Sequence, residues 1–333
     1  MTVPESARRS MKSPVFVQVH HPEARALANE AAHGLLAPAA SVAPKFFYNP
    51  LGSRLFDVIT ELQAYYPTRT EAAIFAAHGQ AMARAVHAVT GPQPVMVDLG
   101  AGNCAKAARL FDTLDPRTYV AVDISVEFLR QSLTALQREH PARDLVGVGL
   151  DFSQALALPD GLPGVDTTPR LMFYPGSSIG NFSPREALGL LGDMRRAACG
   201  GALLVGVDLL KSPQVLQAAY DDELGVTAAF NLNVLLNLND VLGADFRVSQ
   251  WQHVALFNET DSRIEMHLQA REDTVVTWPD AHRRFRAGER IHTENSYKWT
   301  PAQFTQLLRD AGFSQVQVWR DAQDAFGVFL ATG

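Results

Sequence analysis

The stretch DLGAGN, residues 98–103, lies between the apolar run VMVDLG (95–100) and CAKAARLFDTL (104–114), in which the apolar residues have helical spacing. The pattern predicts a buried strand, a tight turn and a helix. In the turn, Gly100 and Gly102 let the backbone bend sharply and approach a ligand that a Cβ would block. Such a strand–turn–helix unit is typical of α/β folds that bind nucleosides.

An acidic residue supports the same interpretation. Asp123 ends the next predicted strand, YVAVDIS (119–125), and an acid about 20 residues beyond a glycine turn can accept hydrogen bonds from both ribose hydroxyls. Together, the turn and the acid predict a nucleoside site at the carboxyl end of a parallel sheet.

Strands and helices alternate around that unit, which is typical of an α/β fold. Helices are predicted at 126–140, 185–198 and 300–313, the last with Thr300 as N-cap and Pro301 in its first turn. The predicted strands are 95–100, 119–125, 145–152, 170–178, 201–210, 314–321 and 326–333. Because the last two are joined by a short turn, we expect a Rossmann-like α/β sheet of seven strands that closes in a hairpin.

Two segments lie outside the alternation. Residues 1–20 are expected to be a loose lead-in, and residues 211–299 run from an asparagine-rich helical stretch into an alternating strand at 263–271. The latter predicts an inserted second α+β domain. Between the lead-in and the first strand, helices are predicted at 21–36, 53–62 and 68–89, the last with Thr68 or Thr70 as N-cap.

Composition excludes several classes of function. The 333 residues are 47% hydrophobic and carry a net charge of −6, which argues against nucleic acid or an anionic membrane as partner. The basic cluster HRRFRAGER (282–290) is expected to be a solvated linker. Cys104 and Cys199 are far apart and offer no zinc spacing, so we expect no metal and interpret Cys104 as a small packing residue. No apolar run approaches a membrane span and no secretory leader is evident, which predicts a cytoplasmic protein.

The glycine turn alone leaves two cofactors open. Gly100-x-Gly102-x-x-Ala105 also suits NAD, so an NAD-dependent oxidoreductase stays an alternative. Three features favour S-adenosylmethionine: the long segment before the first strand can fold over the cofactor, the closing hairpin matches methyltransferase sheets, and Asp151 and Phe152 end the third strand. There, an acid and a ring could take the amino group and the face of an adenine.

The motifs together resemble a known family, the histidine Nα-methyltransferases of ergothioneine biosynthesis, with bacterial members as the best match. The resemblance implies transfer of three methyl groups from S-adenosylmethionine to the α-amine of L-histidine through mono- and dimethylated forms, giving hercynine, by a monomer. It is carried by KFFYNPLGSRLFDVITELQAYYPTRTEAAI (45–74), DLGAGNCAK (98–106), YPGSSIGNF (174–182), LLVGVDLLKSPQVLQAAYDDELGVTAAFNLN (203–233), RIEMHL (263–268) and IHTENSYKWT (291–300).

The order of the predicted elements also predicts a division of the chain. Residues 21–70, 90–210 and 299–333 would bind S-adenosylmethionine, and residues 211–298, with the N-terminal segment and the helix near 71–89, would bind the substrate. The cofactor residues implied by the resemblance are Tyr48, Gly100, Lys106, Asp123, Asp151 and Phe152. The implied substrate residues are Phe56, Tyr65, Gly176, Asn181, Tyr220, Thr227, Met266, Glu294 and Ser296.

The resemblance also implies individual roles. Asn181 and the Tyr220 hydroxyl would hold the substrate carboxylate, the Gly176 backbone would position the amine, and Lys106 would neutralise the methionyl carboxylate. No dedicated catalytic base is expected, because the amine only has to be aligned with an activated methyl group.

The run IHTENSYKWT (291–300) is either a polar loop or a specificity pocket. With the resemblance, we interpret Glu294 and Ser296 as partners of the two imidazole nitrogens, while Asn295 and Tyr297 alternate away and support the loop. Two further alternatives stay open: a different acceptor such as tryptophan, and a catalytically silent binding protein.

Overall fold

The computed structural model describes residues 12–19, 24–153, 155–165 and 168–333. The strands of this part are β1 (Val15–Gln18), β2 (Val95–Leu99), β3 (Thr118–Asp123), β4 (Asp144–Gly149), β5 (Arg170–Tyr174), β6 (Ala202–Asp208), β7 (Trp251–Asn258), β8 (Arg263–Ala270), β9 (Thr274–Trp278), β10 (Ala281–Phe285), β11 (Arg290–Tyr297), β12 (Gln315–Arg320) and β13 (Phe326–Thr332). Its α-helices are α1 (Ala24–Leu36), α2 (Pro50–Glu61), α3 (Tyr66–Thr90), α4 (Ala105–Ala108), α5 (Phe111–Leu114), α6 (Val126–Glu139), α7 (Pro184–Ala197), α8 (Pro213–Ala218), α9 (Val226–Leu242) and α10 (Pro301–Asp310).

The main sheet has the strand order β1-β4-β3-β2-β5-β6-β13-β12. Its first six strands are parallel, and β13 runs antiparallel to both β6 and β12. The seven predicted strands and the closing hairpin are therefore confirmed, and the fold is the expected α/β class. Helices cover both faces: α7 and α10 share one apolar cluster with the sheet, and α3, α5 and α6 share the other.

An eighth strand was missed. Residues 15–18, expected to be part of a loose lead-in, form β1 and pair in parallel with β4. Phe16 lies beside Gly147, where an added Cβ would be 2.5 Å from the Phe16 ring. The ring fills space that Gly147 leaves, and Arg130 lies over it at 4.5 Å from the centroid. The short strand is thus held by a partner that local periodicity does not reveal.

Two helix predictions need correction. The helix expected at 104–114 is divided into α4 and α5. Helix α3 begins at Tyr66 with Pro67 in its first turn, so Thr68 and Thr70 lie inside the helix rather than at its N-cap. The Thr70 hydroxyl instead donates to the Tyr66 carbonyl, 2.9 Å away.

The inserted segment builds a second core. Strands β11, β8 and β7 form an antiparallel sheet, β9 and β10 form a hairpin, and α8 and α9 pack in the same apolar cluster. The alternating strand predicted at 263–271 is confirmed as β8. We expected residues 291–297 to form a loop. That expectation is wrong, because they belong to strand β11.

The basic cluster 282–290 is also more ordered than a linker. It starts in β10, where the Arg283 guanidinium donates to the carbonyls of Leu35 and Ala37 and pairs with Glu289. The expectation of a solvated linker is therefore wrong for its first part, because Arg283 closes the end of α1 onto the hairpin.

The N-terminal segment also joins the second core. Residues of α1 and α2 pack with the insertion, whereas α3 packs on the main sheet. Backbone hydrogen bonds link Val42 N to His292 O and His292 N to Ala40 O, both at 2.9 Å, so this segment extends β11 at its edge. The division of the chain into two domains stays a prediction.

Candidate active site

The glycine turn and Asp123 form one hydrogen-bonded unit. Gly100 and Gly102 have φ of 71° and 51°, conformations that favour glycine. Asp123 accepts hydrogen bonds from Gly102 N at 2.9 Å and Ser125 N at 2.8 Å. Burial raises the pKa of this carboxyl, and the backbone donors oppose the increase. The carboxylate is thus fixed at the end of β3, and each oxygen keeps acceptor capacity for a ribose hydroxyl.

Asp151 and Phe152 lie beside that turn. The Phe152 ring is 3.8 Å from the position a Cβ would take on Gly100, and it packs edge-on against Tyr174. The Asp151 Oδ2 atom is buried and accepts no hydrogen bond among the described residues, although Lys45 Nζ lies 3.8 Å away. A buried acceptor next to a ring face and a glycine is a site that an adenine with its amino group fits.

Lys106 lies at the other side of the turn, paired with a residue that sequence reasoning missed. Its Nζ is 3.1 Å from Oε2 of Glu71, a buried carboxylate of α3. Glu71 Oε1 also accepts from Gly176 N at 2.8 Å, and a Cβ on Gly176 would be 2.4 Å from the Lys106 amine. Glu71 therefore ties α3 to the predicted amine-positioning residue Gly176. Its signal in the sequence was the stretch TRTEAAI, which we interpreted as a helix start.

Four predicted rings form a row from the donor side to the acceptor side. The ring centroids of Tyr48 and Phe56 are 5.9 Å apart, those of Phe56 and Tyr65 6.3 Å, and those of Tyr65 and Tyr220 6.3 Å. Burial first, and then the charges of Glu294 and Asp123 among others, raise the pKa of Tyr48 well above its usual value. Tyr48 is thus within electrostatic reach of both Asp123 and Glu294.

A β-bulge gives β11 its polar buried face. The pairing of β11 with β8 shifts register between His292 and Glu294, so that Glu294 lies opposite Met266 and Ser296 opposite Ile264. The Thr293 hydroxyl holds the bulge by donating to Asn231 at 2.8 Å and to the Met266 carbonyl at 3.0 Å. Since one extra residue reverses the alternation, Glu294 and Ser296 join the buried face.

The two neighbours point to the opposite side, as expected. The Asn295 Oδ1 atom accepts a hydrogen bond from His292 Nε2 at 2.8 Å, and the Tyr297 hydroxyl accepts one from Arg263. Asn295 and Tyr297 thus stabilise strand β11, where we had expected a loop.

Glu294 is a buried carboxyl with no hydrogen-bond partner among the described residues. It is 8% exposed, and burial raises its pKa to about 7, against the opposing charge of Lys298. Within the part of the chain that the structure describes, its carboxylate accepts no hydrogen bond. Such a group is available for a ligand that donates an N–H.

A charged cluster supports Ser296 from behind. Lys298 Nζ lies 2.7 Å from Ser296 Oγ, 3.1 Å from Tyr220 Oη and 2.8 Å from Asp208 Oδ2, and the Tyr220 hydroxyl donates to Ser296 at 2.7 Å. Asp208 also contacts Lys211 Nζ at 2.6 Å and accepts from Tyr66. The Lys298 and Lys211 charges lower the Asp208 pKa although burial opposes them. Sequence reasoning missed Asp208 and Lys298, since one lies in a buried strand and the other in a run of polar residues.

The remaining predicted residues lie around these groups. Asn181 ends a short 3-10 turn, Ser178–Asn181, in which Gly180 packs on β11 so closely that a Cβ would be 2.8 Å from the Tyr297 carbonyl. Thr227 is buried in the first turn of α9, and its amide donates to Asp222 at 2.7 Å. Among the described residues, no group of three or more His, Cys, Asp or Glu side chains could hold a metal ion.

Comparison with known proteins gives the family. Residues 27–333 match the model of a family described as "Histidine-specific methyltransferase, SAM-dependent". The chain is 38% identical to a histidine N-alpha-methyltransferase of Mycolicibacterium smegmatis over 92% of this chain and 95% of that protein. It is 39% identical to the protein of the same name from Mycobacterium tuberculosis, over 92% of this chain and 94% of that protein.

A fungal relative is longer. Ergothioneine biosynthesis protein 1 of Neurospora crassa is 30% identical over 82% of this chain, which corresponds to 31% of the fungal protein. No helix of the described part is long and apolar enough to span a bilayer.

The family match confirms S-adenosylmethionine, rather than NAD, as the cofactor. With the family model covering nearly the whole length, the chain belongs to the histidine-specific, S-adenosylmethionine-dependent methyltransferases.

Proposed function

We propose that the protein transfers three methyl groups from S-adenosylmethionine to the α-amine of L-histidine and so forms hercynine, the betaine used for ergothioneine. The observation that carries the proposal is the buried pair Glu294 and Ser296, an acceptor and a hydroxyl that share one face of β11. An imidazole presents one N–H and one acceptor nitrogen. A pocket with both groups buried disfavours ligands that leave them unpaired.

On the donor side, the chain offers a partner for each part of S-adenosylmethionine, which supplies an activated methyl group when bound. Asp123 would accept from the ribose hydroxyls, Asp151 from the adenine amino group, and Phe152 would cover the adenine face. Lys106, held by Glu71 at 3.1 Å, would neutralise the methionyl carboxylate. These roles follow from the charge and burial of each side chain.

On the acceptor side, Asn181 would hold the carboxylate of histidine and the region of Gly176 its amine. Tyr220, which we also expected at the carboxylate, has its hydroxyl bonded to Ser296 and Lys298 in this structure. Serving the carboxylate would require it to leave Ser296, so Tyr220 acts chiefly on the ring side. Phe56, Tyr65, Thr227 and Met266 would line the remaining wall.

The chemistry asks little acid–base work of the chain. An α-amine titrates near 8 in peptides, so a neutral fraction is present at physiological pH. The residues therefore align the nitrogen lone pair with the S–CH₃ bond, which is the main contribution in such displacements. The nitrogen must release a proton before the second and the third transfer, and mono- and dimethylhistidine are the intermediate substrates. The Tyr48, Phe56 and Tyr65 rings can stabilise the positive charge of the sulfonium and of the product through cation–π contacts.

Two further points belong to the proposal. A cytoplasmic location is supported by the absence of disulfides, since Cys104 and Cys199 are both free, and by the net charge of −6. A monomer is proposed from the family resemblance.

The test is mass spectrometry after incubation with S-adenosylmethionine and a mixture of the twenty amino acids. The expected result is a gain of up to three methyl groups on histidine alone. Methylation of another amino acid would move the proposal to that acceptor. No methylated product despite tight binding of S-adenosylhomocysteine would identify a silent binding protein. The Asn181→Ala variant is the control, since it should lose histidine use and keep cofactor binding.

A further inference from the structure

Lys298 has used all its hydrogen-bonding capacity at the base of the acceptor pocket. Its side chain is fully buried, and its ammonium has three protons and three acceptors: Asp208 at 2.8 Å, Ser296 at 2.7 Å and Tyr220 at 3.1 Å. An ammonium can only donate. The Ser296 and Tyr220 oxygens must therefore both accept from Lys298.

This fixes the direction of the hydroxyl proton on Ser296. A serine hydroxyl has two acceptor positions and one proton, and both acceptor positions are used, one by Lys298 and one by the Tyr220 hydroxyl at 2.7 Å. Its own proton is left to point away from the cluster. Ser296 is consequently a donor to whatever lies in front of it, while the Glu294 carboxylate can only accept when it is ionised.

The charge of the cluster is also unbalanced. Asp208 is already paired with Lys211 at 2.6 Å and accepts from Tyr66, so Lys298 brings a second positive charge to one carboxylate. A buried lysine is costly unless another charge compensates it. Glu294 is that charge, because Lys298 is the group that opposes the effect of burial on the Glu294 pKa.

We propose that Lys298 is a positioning residue that sets the hydrogen-bond polarity of the acceptor pocket. It makes Ser296 a donor opposite an acceptor carboxylate, so the pocket takes a neutral imidazole, with its N–H toward Glu294 and its bare nitrogen toward Ser296. The inference rests on the proposed function, since it concerns the same pocket.

The first test compares Lys298→Met with Lys211→Met. Both remove a lysine from Asp208, but Lys211 contacts neither Ser296 nor Tyr220, which makes it a matched control. L-Histidine affinity is measured by calorimetry at pH 7.5 with S-adenosylhomocysteine present. We expect Lys298→Met to weaken histidine binding by about tenfold or more, as for a lost hydrogen-bond partner and charge. S-Adenosylhomocysteine affinity should change by less than about twofold in both variants, because Lys298 acts on the acceptor side.

The second test is a double-mutant cycle with Ser296→Ala at pH 9, where Glu294 is ionised. If Lys298 acts through Ser296, the double variant binds histidine no more weakly than Ser296→Ala alone, because coupled residues are not additive. Additive losses, or a Lys298→Met variant equal to Lys211→Met, overturn the inference.

The third readout is the pH dependence of histidine binding. The groups around Glu294 are Lys298 and the phenols of Tyr48, Tyr65 and Tyr220, whose pKa values burial raises well above their usual range. The phenols stay neutral, so Lys298 is the charge that lowers the Glu294 pKa. Removing Lys298 should therefore raise that pKa, and the loss of histidine binding on acidification should begin at a higher pH. In the Glu294→Gln background, Lys298→Met should leave the pH dependence of histidine binding unchanged. The imidazole of free histidine titrates alike in every variant and cancels in the comparison.

Failure of the inference is separable from failure of the function. A wild-type protein that does not bind L-histidine refutes the proposed function, whereas normal binding with no effect of Lys298→Met refutes only the role of Lys298. If Lys298→Met does not fold, Ser296→Ala carries the test with a pyrrole analogue of histidine that keeps the N–H. The wild type should prefer histidine by about tenfold and Ser296→Ala by about twofold or less; equal preference in both contradicts the donor role.

Discussion

In the proposed function, recognition of the acceptor depends on Glu294. Its carboxylate is buried and its pKa is raised to about 7, so it is ionised only in part at neutral pH in the absence of ligand. An N–H donor supplied by the substrate stabilises the charged form, as does Lys298. In the proposed function, the substrate N–H therefore offsets the cost of burying the Glu294 charge.

The first prediction concerns this carboxylate. Glu294→Ala should raise the KM for histidine by roughly a hundredfold, because the ring N–H loses a charged acceptor worth about 2–3 kcal/mol. Binding of S-adenosylhomocysteine should remain within about twofold. Steady-state kinetics and calorimetry measure the two effects, and an equal loss of both affinities would contradict the assigned role.

A second prediction concerns Asp151. Asp151→Ala should weaken S-adenosylhomocysteine binding by about tenfold, since the adenine amino group loses its acceptor. The inosine analogue carries a carbonyl in place of the amino group and should bind the wild type poorly. The Asp151→Ala variant should bind this analogue and S-adenosylhomocysteine with nearly equal affinity. Calorimetry with both ligands checks this, and a variant that still discriminates fully would place the amino group elsewhere.

At the residue scale, the sequence was sufficient to predict polar site residues that follow a predicted strand or belong to a polar run. Asp123 and Asp151 each follow a predicted strand, and Glu294 belongs to a polar run. Glu71, Asp208 and Lys298 escaped because their importance comes from partners far away in the chain: Gly176 for Glu71, and Asp208 and Tyr220 for Lys298. No local pattern encodes such pairs.

At the scale of elements, the bulge in β11 decides which side chains face the proposed acceptor pocket. Without the extra residue, Glu294 and Ser296 would share the face of His292, which is partly exposed. The bulge is held by the Thr293 hydroxyl, which is bonded to Asn231 and to Met266 O.

The third prediction tests this element with Thr293→Val, which keeps the shape and removes the hydroxyl. It should reduce the free energy of unfolding by about 1–2 kcal/mol, because buried acceptors lose their donor. The KM for histidine should rise several-fold as Glu294 loses its fixed position. Thr274→Val is the matched control: Thr274 is also buried, at the start of β9 in the hairpin, and its hydroxyl donates to Gln250, which lies just before β7. A similar rise in KM for the control would show that the bulge has no special part.

Prediction of the secondary-structure elements failed where an element is stabilised by contacts with residues distant in the sequence. The strands β2 to β6 and the closing hairpin were predicted because each is apolar over its whole length or precedes a clear turn. β1 depends on the space left by Gly147, and β11 looked like a loop because polar residues occupy both of its faces. Helices α4 and α5 are short pieces whose shared apolar spacing predicts one continuous helix.

For the whole molecule, the fourth prediction links the pocket to stability. Glu294 has a pKa of about 7 in the folded protein and an ordinary value of 4.5. The folded state therefore binds this proton more tightly than the unfolded state, and stability falls as pH rises from about 4.5 to 7. Glu294→Gln should then be more stable than the wild type at pH 8 by roughly 3 kcal/mol, and equally stable near pH 4.

Chemical denaturation at both pH values measures the difference. Burial also raises the Asp98 pKa to about 7, against the hydrogen bond from Tyr119, but Asp98 is present in both proteins and cancels. A variant that is less stable than the wild type at pH 8 would show that the protein, rather than the ligand, already satisfies the Glu294 charge.

The N-terminal segment that extends β11 bears on how the protein is made. Ala40 and Val42 bond to His292, and Asn49 bonds to Asn233, so the proposed acceptor pocket is assembled from segments that lie far apart in the chain. A ribosome delivers the first of them long before the last. Until β11 has been translated, the segment from Ala40 to Val42 lacks the strand with which it pairs. A nascent chain should therefore recruit chaperones at this stage, and a prematurely terminated product should have no residual affinity for the amino acid.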